Sequence, residues 1–279
     1  MASESCVRIG AVSYLNAKPL IYTLPQNNPN IQLSTAVPSR LADQLKAGQL
    51  DVALIPAIEC FRHSGYRIIK NISISSHGAV RSVKLFSKTH IHNIQRVALD
   101  ISSRTSRALV KILLAEKYGL RPQYTEIRIT NYELRITNKR QEHAGDLLSM
   151  GQADAVLLIG DAAMQQSEKG LYILDLGAEW QAMTNRPFVY ALWVARENVI
   201  LSNIPQRLQQ AKKEGMKLIP EIASIEAPKL NLPESFCREY LTQNIGYDLD
   251  DAELDGLRLF YNYAVKFGLA EPGIEIVFA

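Results

Sequence analysis

Four hydroxyl side chains crowd one turn of this chain. Ser102, Ser103, Thr105 and Ser106 follow the short apolar segment 97–100 (VALD). They precede Leu109, Ile112 and Leu113, whose spacing predicts a helix that stops at Gly119, with Pro122 just beyond. The first N–H groups of a helix have no partner within it and carry partial positive charge. Hydroxyls beside them complete a seat for a carboxylate or a phosphate. N-capping by Ser103 is the plainer account, but a cap needs one hydroxyl and four are present. A second candidate is Tyr14-Leu15-Asn16, between the apolar segment 7–12 and a helix with Pro19 in its first turn. Asn16 then falls near a helix N-cap, at the strand-to-helix turns where open α/β sheets bind ligands.

Basic residues lie beside these segments: Arg81, Lys84 and Arg104. Strand alternation puts Ser82 and Lys84 on one face and Arg81 and Val83 on the other. Taken singly, each of the three reads as a solvated surface charge. There is no Gly-rich phosphate loop, no GxSxG and no HExxH. The histidines, His63, His77, His90, His92 and His143, are dispersed. Cys6, Cys60 and Cys237 are far apart with no CxxC, so they read as buried free thiols rather than a disulfide framework or a zinc site. The expected chemistry is polar groups placed around a ligand, with no cofactor and no metal.

Strands are expected at 7–12, 51–55, 82–87, 97–100, 155–159 and 188–195. Helices are expected from Leu41 and Leu45 to Gly48, after Ser106, and through most of the C-terminal part. There, Pro205 opens one helix, and Asp250 with Glu253 forms a capping box for another that ends at Gly268. The alternation is that of an α/β protein, and 279 residues suffice for one large domain or two modest ones. A net charge of +3 without a basic stripe argues against nucleic acid. No apolar run approaches the length of a membrane span, and the N-terminus has no export-signal pattern, so a cytoplasmic protein is expected. An internal repeat, AGQLDVAL at 47–54 and MGQADAVL at 150–157, fits two lobes of related topology, although any α/β protein can reuse that connection. A second, EIRITN at 126–131 and ELRITN at 133–138, reads as an exposed hairpin from a local duplication.

The segment 13–20 (SYLNAKPL) resembles the chorismate dehydratases of the futalosine route to menaquinone. The resemblance continues through 48–56 (GQLDVALIP), 78–83 (GAVRSV), 103–106 (SRTS), 154–163 (DAVLLIGDAA), 175–177 (DLG), Glu179-Trp180 and 187–193 (PFVYALW). These segments occur in order along nearly the whole chain; the EIRITN duplication is the one departure.

The resemblance implies a two-lobed periplasmic-binding-protein-like fold of type II with a central cleft. One lobe would comprise 1–87 and 188–279 and the other 88–187, with 82–87 and 188–195 as crossover strands. It implies elimination of water from chorismate: C3 loses a proton, C4 its hydroxyl, and the ring becomes aromatic. One carboxylate is expected on Ser103, Thr105 and Ser106, with backbone groups at Pro56 and Ala57 from the other lobe. Asn16 and Ser82 are expected at the reacting end, and Tyr14, Gly160 and Asp161 complete the expected binding residues. The base is open between Asp161, which an N-cap role explains equally, and the substrate's own enolpyruvyl carboxylate. The expected partner is the small molecule alone, with no nucleic acid or membrane, and the protein acts as a monomer or homodimer. A non-catalytic carboxylate-binding protein, the related dihydroxynaphthoate synthase and a ligand-sensing domain are the competing readings; turnover and product identity separate them.

Overall fold

The computed structural model describes residues 6–24, 30–127, 148 and 153–279. Strand β1 (Val7–Val12) leads through a 3-10 turn at Leu15–Ala17 into the short helix α1 (Lys18–Ile21). Then come β2 (Ile31–Ala36), α2 (Pro38–Lys46) and β3 (Val52–Pro56). Proline opens both helices, where its missing N–H costs nothing, and α2 ends just before Gly48, whose φ of +72° suits glycine. Every residue of β3 is buried, as a strand covered on both faces must be. A 3-10 turn at Ala57–Phe61 and β4 (Tyr66–Ser76) follow.

The chain next builds β5 (Val83–Ser87), β6 (Arg96–Asp100), α3 (Arg104–Glu116) and β7 (Gln123–Ile127). It continues with β8 (Ala155–Ile159), α4 (Gly160–Gln165), β9 (Tyr172–Asp175) and α5 (Leu176–Thr184). Strand β10 (Phe188–Arg196) precedes α6 (Ile204–Lys217), α7 (Ile219–Leu230), α8 (Glu234–Glu239), a π-helical turn at Tyr240–Asn244, and α9 (Asp251–Lys266). Pro205 lies in the first turn of α6, and Asp250 with Glu253 makes the capping box of α9, both as their spacing predicts. No described helix is long and apolar enough to cross a membrane.

The strands form two five-stranded sheets, ordered β2-β1-β3-β10-β4 and β7-β6-β8-β5-β9. The pattern is the same in both. Three parallel strands are followed by one antiparallel strand, β10 or β5, and an edge strand pairs antiparallel to that. Strands β3 and β8, which carry the internal repeat, hold equivalent central places. The shared aspartate has one task in both sheets. Asp51 accepts from the backbone N–H of Arg8 at the start of β1, and Asp154 from those of Gln95 and Arg96 at the start of β6. Burial raises the pKa of Asp51, but bonds from Arg8 and Arg196 outweigh it and hold the carboxyl at about 2. The repeat is therefore two copies of one lock on strand register. Its residues 150–152 lie outside the described residues.

One expectation needs correction. Segment 82–87 is not a crossover belonging with the first sheet: β5 pairs with β8 and β9 inside the second. The first crossing is the connection 77–82, because β4 ends in one sheet and β5 begins in the other. Strand β7 runs parallel to β6, and residues 128–138, which hold the rest of the EIRITN duplication, lie outside the described residues.

The return crossing, 185–187, joins α5 to β10. Trp180, Phe188 and Phe260 anchor it, with Trp180–Phe188 and Phe188–Phe260 ring centroids 5.2 and 4.9 Å apart, edge to face. Asp175 ties both crossings together. As N-cap of α5 it accepts from Gly177 and Ala178, and it also accepts from the N–H groups of Val80 (2.9 Å) and Arg81 (2.6 Å) in the first crossing. That explains how Arg81, a non-glycine residue, keeps a φ of +60°.

Candidate functional site

The sheets face each other across a cleft of about 520 Å³, counting its open mouth. The turn after β1 brings Tyr14 and Asn16 to it, and the end of β3 brings Pro56. Ser82 arrives from the first crossing, Ser103, Thr105 and Ser106 from the start of α3, and Gly160 from the end of β8. Residues spread from position 14 to position 160 thus meet in one place. Val12, Ile74, Val80, Ile159 and Ala191 supply apolar wall, as is usual for a small-molecule site.

The start of α3 behaves as an anion seat should. Its first intrahelical bond runs from Arg107 N to Ser103 O, which leaves the N–H groups of Arg104, Thr105 and Ser106 ahead of the ladder. Ser103 is the N-cap residue, yet its side chain makes no capping bond, so capping does not use up its hydroxyl. The cluster is smaller than its sequence suggests. Ser102 Oγ donates to Asp100 Oδ2 at 2.6 Å in a local turn, and Thr105 Oγ1 accepts from the Ile58 N–H at 3.3 Å.

The basic candidates are otherwise engaged. Arg81 bonds Glu239 at 2.6 Å and lies over the Phe236 ring, and Lys84 bonds Glu168 at 2.6 Å. Arg104 reaches the cleft wall, but its guanidinium is shared between Asp43 (2.7 Å) and Glu59 (3.0 Å). Charge for an anion therefore comes from the helix end rather than from an uncommitted cation. Among the described residues no three His, Cys, Asp or Glu are grouped to hold a metal.

Two expected residues stand back from the wall. Ala57 is fully buried at the start of its 3-10 turn. Asp161 is neither on the wall nor an N-cap: Ile159 caps α4, and the Asp161 carboxylate accepts from the backbone N–H of Leu15 at 3.0 Å. That bond steadies the turn carrying Tyr14 and Asn16.

Several contacts join the sheets across the cleft. Besides Asp161 to Leu15, Thr105 meets Ile58, and Arg104 meets Asp43 and Glu59. Gly160 lies against the ring of Tyr14: a Cβ on Gly160 would fall 2.8 Å from Cδ2. Only a residue without a side chain permits that approach, and the φ of +60° at Gly160 favours glycine as well.

Sequence reasoning missed Tyr190 and Tyr240. Tyr190 lines the cleft from β10, its hydroxyl 3.0 Å from that of Ser76. Tyr240, fully buried in the π-helical turn, donates from its hydroxyl to Ser82 Oγ at 2.7 Å. Tyr190 falls within 187–193 (PFVYALW), where nothing local marks its ring for the cleft, and Tyr240, an isolated aromatic in a C-terminal helical stretch, gives no local signal.

Two sheets of identical order, two crossings and a cleft of strand-to-helix turns define the two-lobed periplasmic-binding-protein-like fold of type II. Solved structures agree. The chain is similar to an Archaeoglobus fulgidus protein (TM-score 0.75, 16% identity, 96% of this chain and 100% of that one). It is also similar to the periplasmic aliphatic sulphonate binding protein of Escherichia coli (TM-score 0.63, 14% identity, 97% and 90%). At these identities the likeness speaks for the fold alone. The chain belongs to the menaquinone biosynthesis family, which matches residues 7–266. Among relatives, the chorismate dehydratase of Thermus thermophilus is 30% identical over 271 residues, 90% of this chain and 93% of that protein. The chorismate dehydratase of Campylobacter jejuni is 25% identical over 269 residues, 94% and 99%.

Proposed function

We propose that this protein is a chorismate dehydratase, a hydro-lyase that converts chorismate to 3-[(1-carboxyvinyl)oxy]benzoate on the futalosine route to menaquinone, in the cytoplasm. The observation that carries the reading is the convergence of Asn16, Ser82 and the start of α3 on one cleft, in a chain similar to two chorismate dehydratases along most of its length. One lobe is built on the first sheet, with segments to 82 and from 188, and the other on residues 83–187.

The substrate is a dianion, and the α3 end receives one carboxylate through its N–H groups, Ser103 and Ser106. Thr105 holds that end to the opposite lobe. Asn16 and Ser82 face the reacting carbons. The C3 proton goes to a base and the C4 oxygen leaves with its bonding pair; taking up one proton, that oxygen departs as water, and the new C3–C4 double bond completes the aromatic ring. Aromatisation drives the step, and the site stabilises charge growing on the departing oxygen through hydrogen bonds. With its carboxylate bonded to Leu15 and set back from the wall, Asp161 is a positioning group. The enolpyruvyl carboxylate of the substrate is then the base.

The test is incubation of purified, metal-free protein with chorismate and identification of the product against a no-enzyme control. Rapid formation of 3-[(1-carboxyvinyl)oxy]benzoate is expected. Heat protection by chorismate without turnover would replace the reading by a binding role. The same assay on the amide of the enolpyruvyl carboxylate should give binding without product; fast turnover of it would remove the substrate-derived base.

A further inference from the structure

Behind Ser82, out of reach of the cleft, lies a polar group that the reaction as described does not use. Tyr240 is fully buried, as is Ser82, and its hydroxyl donates to Ser82 Oγ at 2.7 Å. The Asn16 Oδ1 is buried and has no hydrogen-bond partner among the described residues. Ser82, one of the two residues expected at the reacting end, is therefore held from behind by a buried phenol.

The Tyr240–Ser82 bond sets the direction of both hydroxyls. Tyr240 has one hydroxyl hydrogen, and it goes to Ser82. Ser82 Oγ accepts it, so the hydrogen of Ser82 itself points away from Tyr240, toward the cleft that Ser82 lines. Burial pushes the phenol well above its ordinary range, against the opposing effect of Ser82, so Tyr240 stays protonated and keeps donating.

We infer that Tyr240 is a positioning residue that sets the polarity of the reacting end by holding Ser82 as a donor toward the substrate. The inference rests on the dehydratase reading and deepens it. The Ser82 O–H faces the C4 oxygen as negative charge grows on it. Donation from Tyr240 polarises Ser82 and strengthens its outward bond. No proton leaves Tyr240, so the balance of the elimination is unchanged. The π-helical turn at Tyr240–Asn244 is the local feature that delivers the phenol, and Asn244 ties that turn to the first crossing by donating to the Ala79 carbonyl at 2.9 Å.

The test is a mutant cycle in kcat and KM with chorismate. Tyr240→Phe keeps the ring and its packing, and should lower kcat by about ten- to a hundredfold with KM within about threefold. In a Ser82→Ala background the same change should add less than about twofold, because Tyr240 acts through Ser82. Tyr247→Phe, another buried phenol, should leave kcat unchanged and so separates the effect from loss of a buried hydroxyl in general. A Tyr240→Phe variant as active as wild type, or a full effect in the Ser82→Ala background, overturns the assignment of Tyr240 while leaving the dehydratase reading intact. Absence of turnover by the wild-type protein overturns both.

Discussion

Gly160→Ala tests whether the lobes must touch for turnover. The added methyl has two separable effects. Its φ of +60° is a left-handed conformation, costing an alanine about 1–2 kcal/mol whatever surrounds it. Its Cβ would also lie 2.8–3.0 Å from three ring carbons of Tyr14 on the opposite lobe. Ordinary contact needs roughly half an ångström more, and the ring, only 3% exposed, has little room to give. Overpacking of this kind costs about 1–3 kcal/mol. Because Tyr14 and Gly160 belong to different lobes, that second cost falls on the closed form alone. At about 1.4 kcal/mol per tenfold, kcat/KM should fall by about five- to 150-fold. The backbone cost should lower Tm by only a few degrees, about 2–4 °C per kcal/mol for a chain of this size. Gly119→Ala is the control: its φ is +66° and nothing lies within 4 Å of the added carbon, so it carries the backbone cost without the wedge. Steady-state assays and thermal melts of both variants decide the matter. If Gly160→Ala loses Tm as Gly119→Ala does and keeps kcat/KM within twofold of wild type, closure against Tyr14 does not limit the reaction.

Other outcomes follow from the same geometry. Asp161→Ala removes the acceptor for the Leu15 N–H and should cut kcat/KM about tenfold or more, with little change in Tm; unchanged kinetics would detach Asp161 from the site. Ser103→Ala with Ser106→Ala should weaken chorismate binding more than it lowers kcat, and the reverse split, measured by titration and steady-state rates, would move these hydroxyls to the reacting end. The depressed pKa of Asp51 gives stability that is present above its ordinary value near 4 and lost as pH falls through about 2. Asp51→Asn should therefore flatten the acid limb of a Tm–pH curve in that window, and an unaltered limb would discount the Arg8 and Arg196 contacts. Burial pushes Cys60 up to about 12 and Cys237 up to about 11, while Cys6 is exposed. A thiol reagent should thus label Cys6 quickly in the native protein and the other two only after unfolding; rapid native labelling of Cys60 would contradict its burial.

What the sequence made legible follows from where each strand lies. Strands β1, β3, β5, β6, β8 and β10 are interior, their side chains covered, and their apolar runs are visible in the chain. The strands that escaped, β2, β4, β7 and β9, are the sheet edges among the described residues. Edge strands such as β7 (QYTEI) carry exposed polar positions that blur with loops. Strand β4 is further disguised by a register shift and by Asn71 with a φ of +64°. At the site, residues within a strand-to-helix turn were readable because helix ends announce themselves in hydroxyls, proline and glycine. Tyr240 was not, since its meaning comes from Ser82, 158 positions earlier. The role of Asp161 was hidden for the same reason: its partner is the backbone of residue 15.

The sheet orders also govern the sequence of events as the chain leaves the ribosome. All described strands of the second sheet lie between Val83 and Asp175, so that lobe can be completed from one continuous stretch. The first sheet must wait, because β10 separates β3 from β4. Until residues 188–196 are synthesised, β3, buried along its whole length in the finished protein, is a bare apolar edge. The second lobe should therefore mature first, and the N-terminal third of the chain is the part most in need of a chaperone. Protease resistance of stalled chains should appear first in the fragment from Val83 and only beyond residue 196 in the segment around β3.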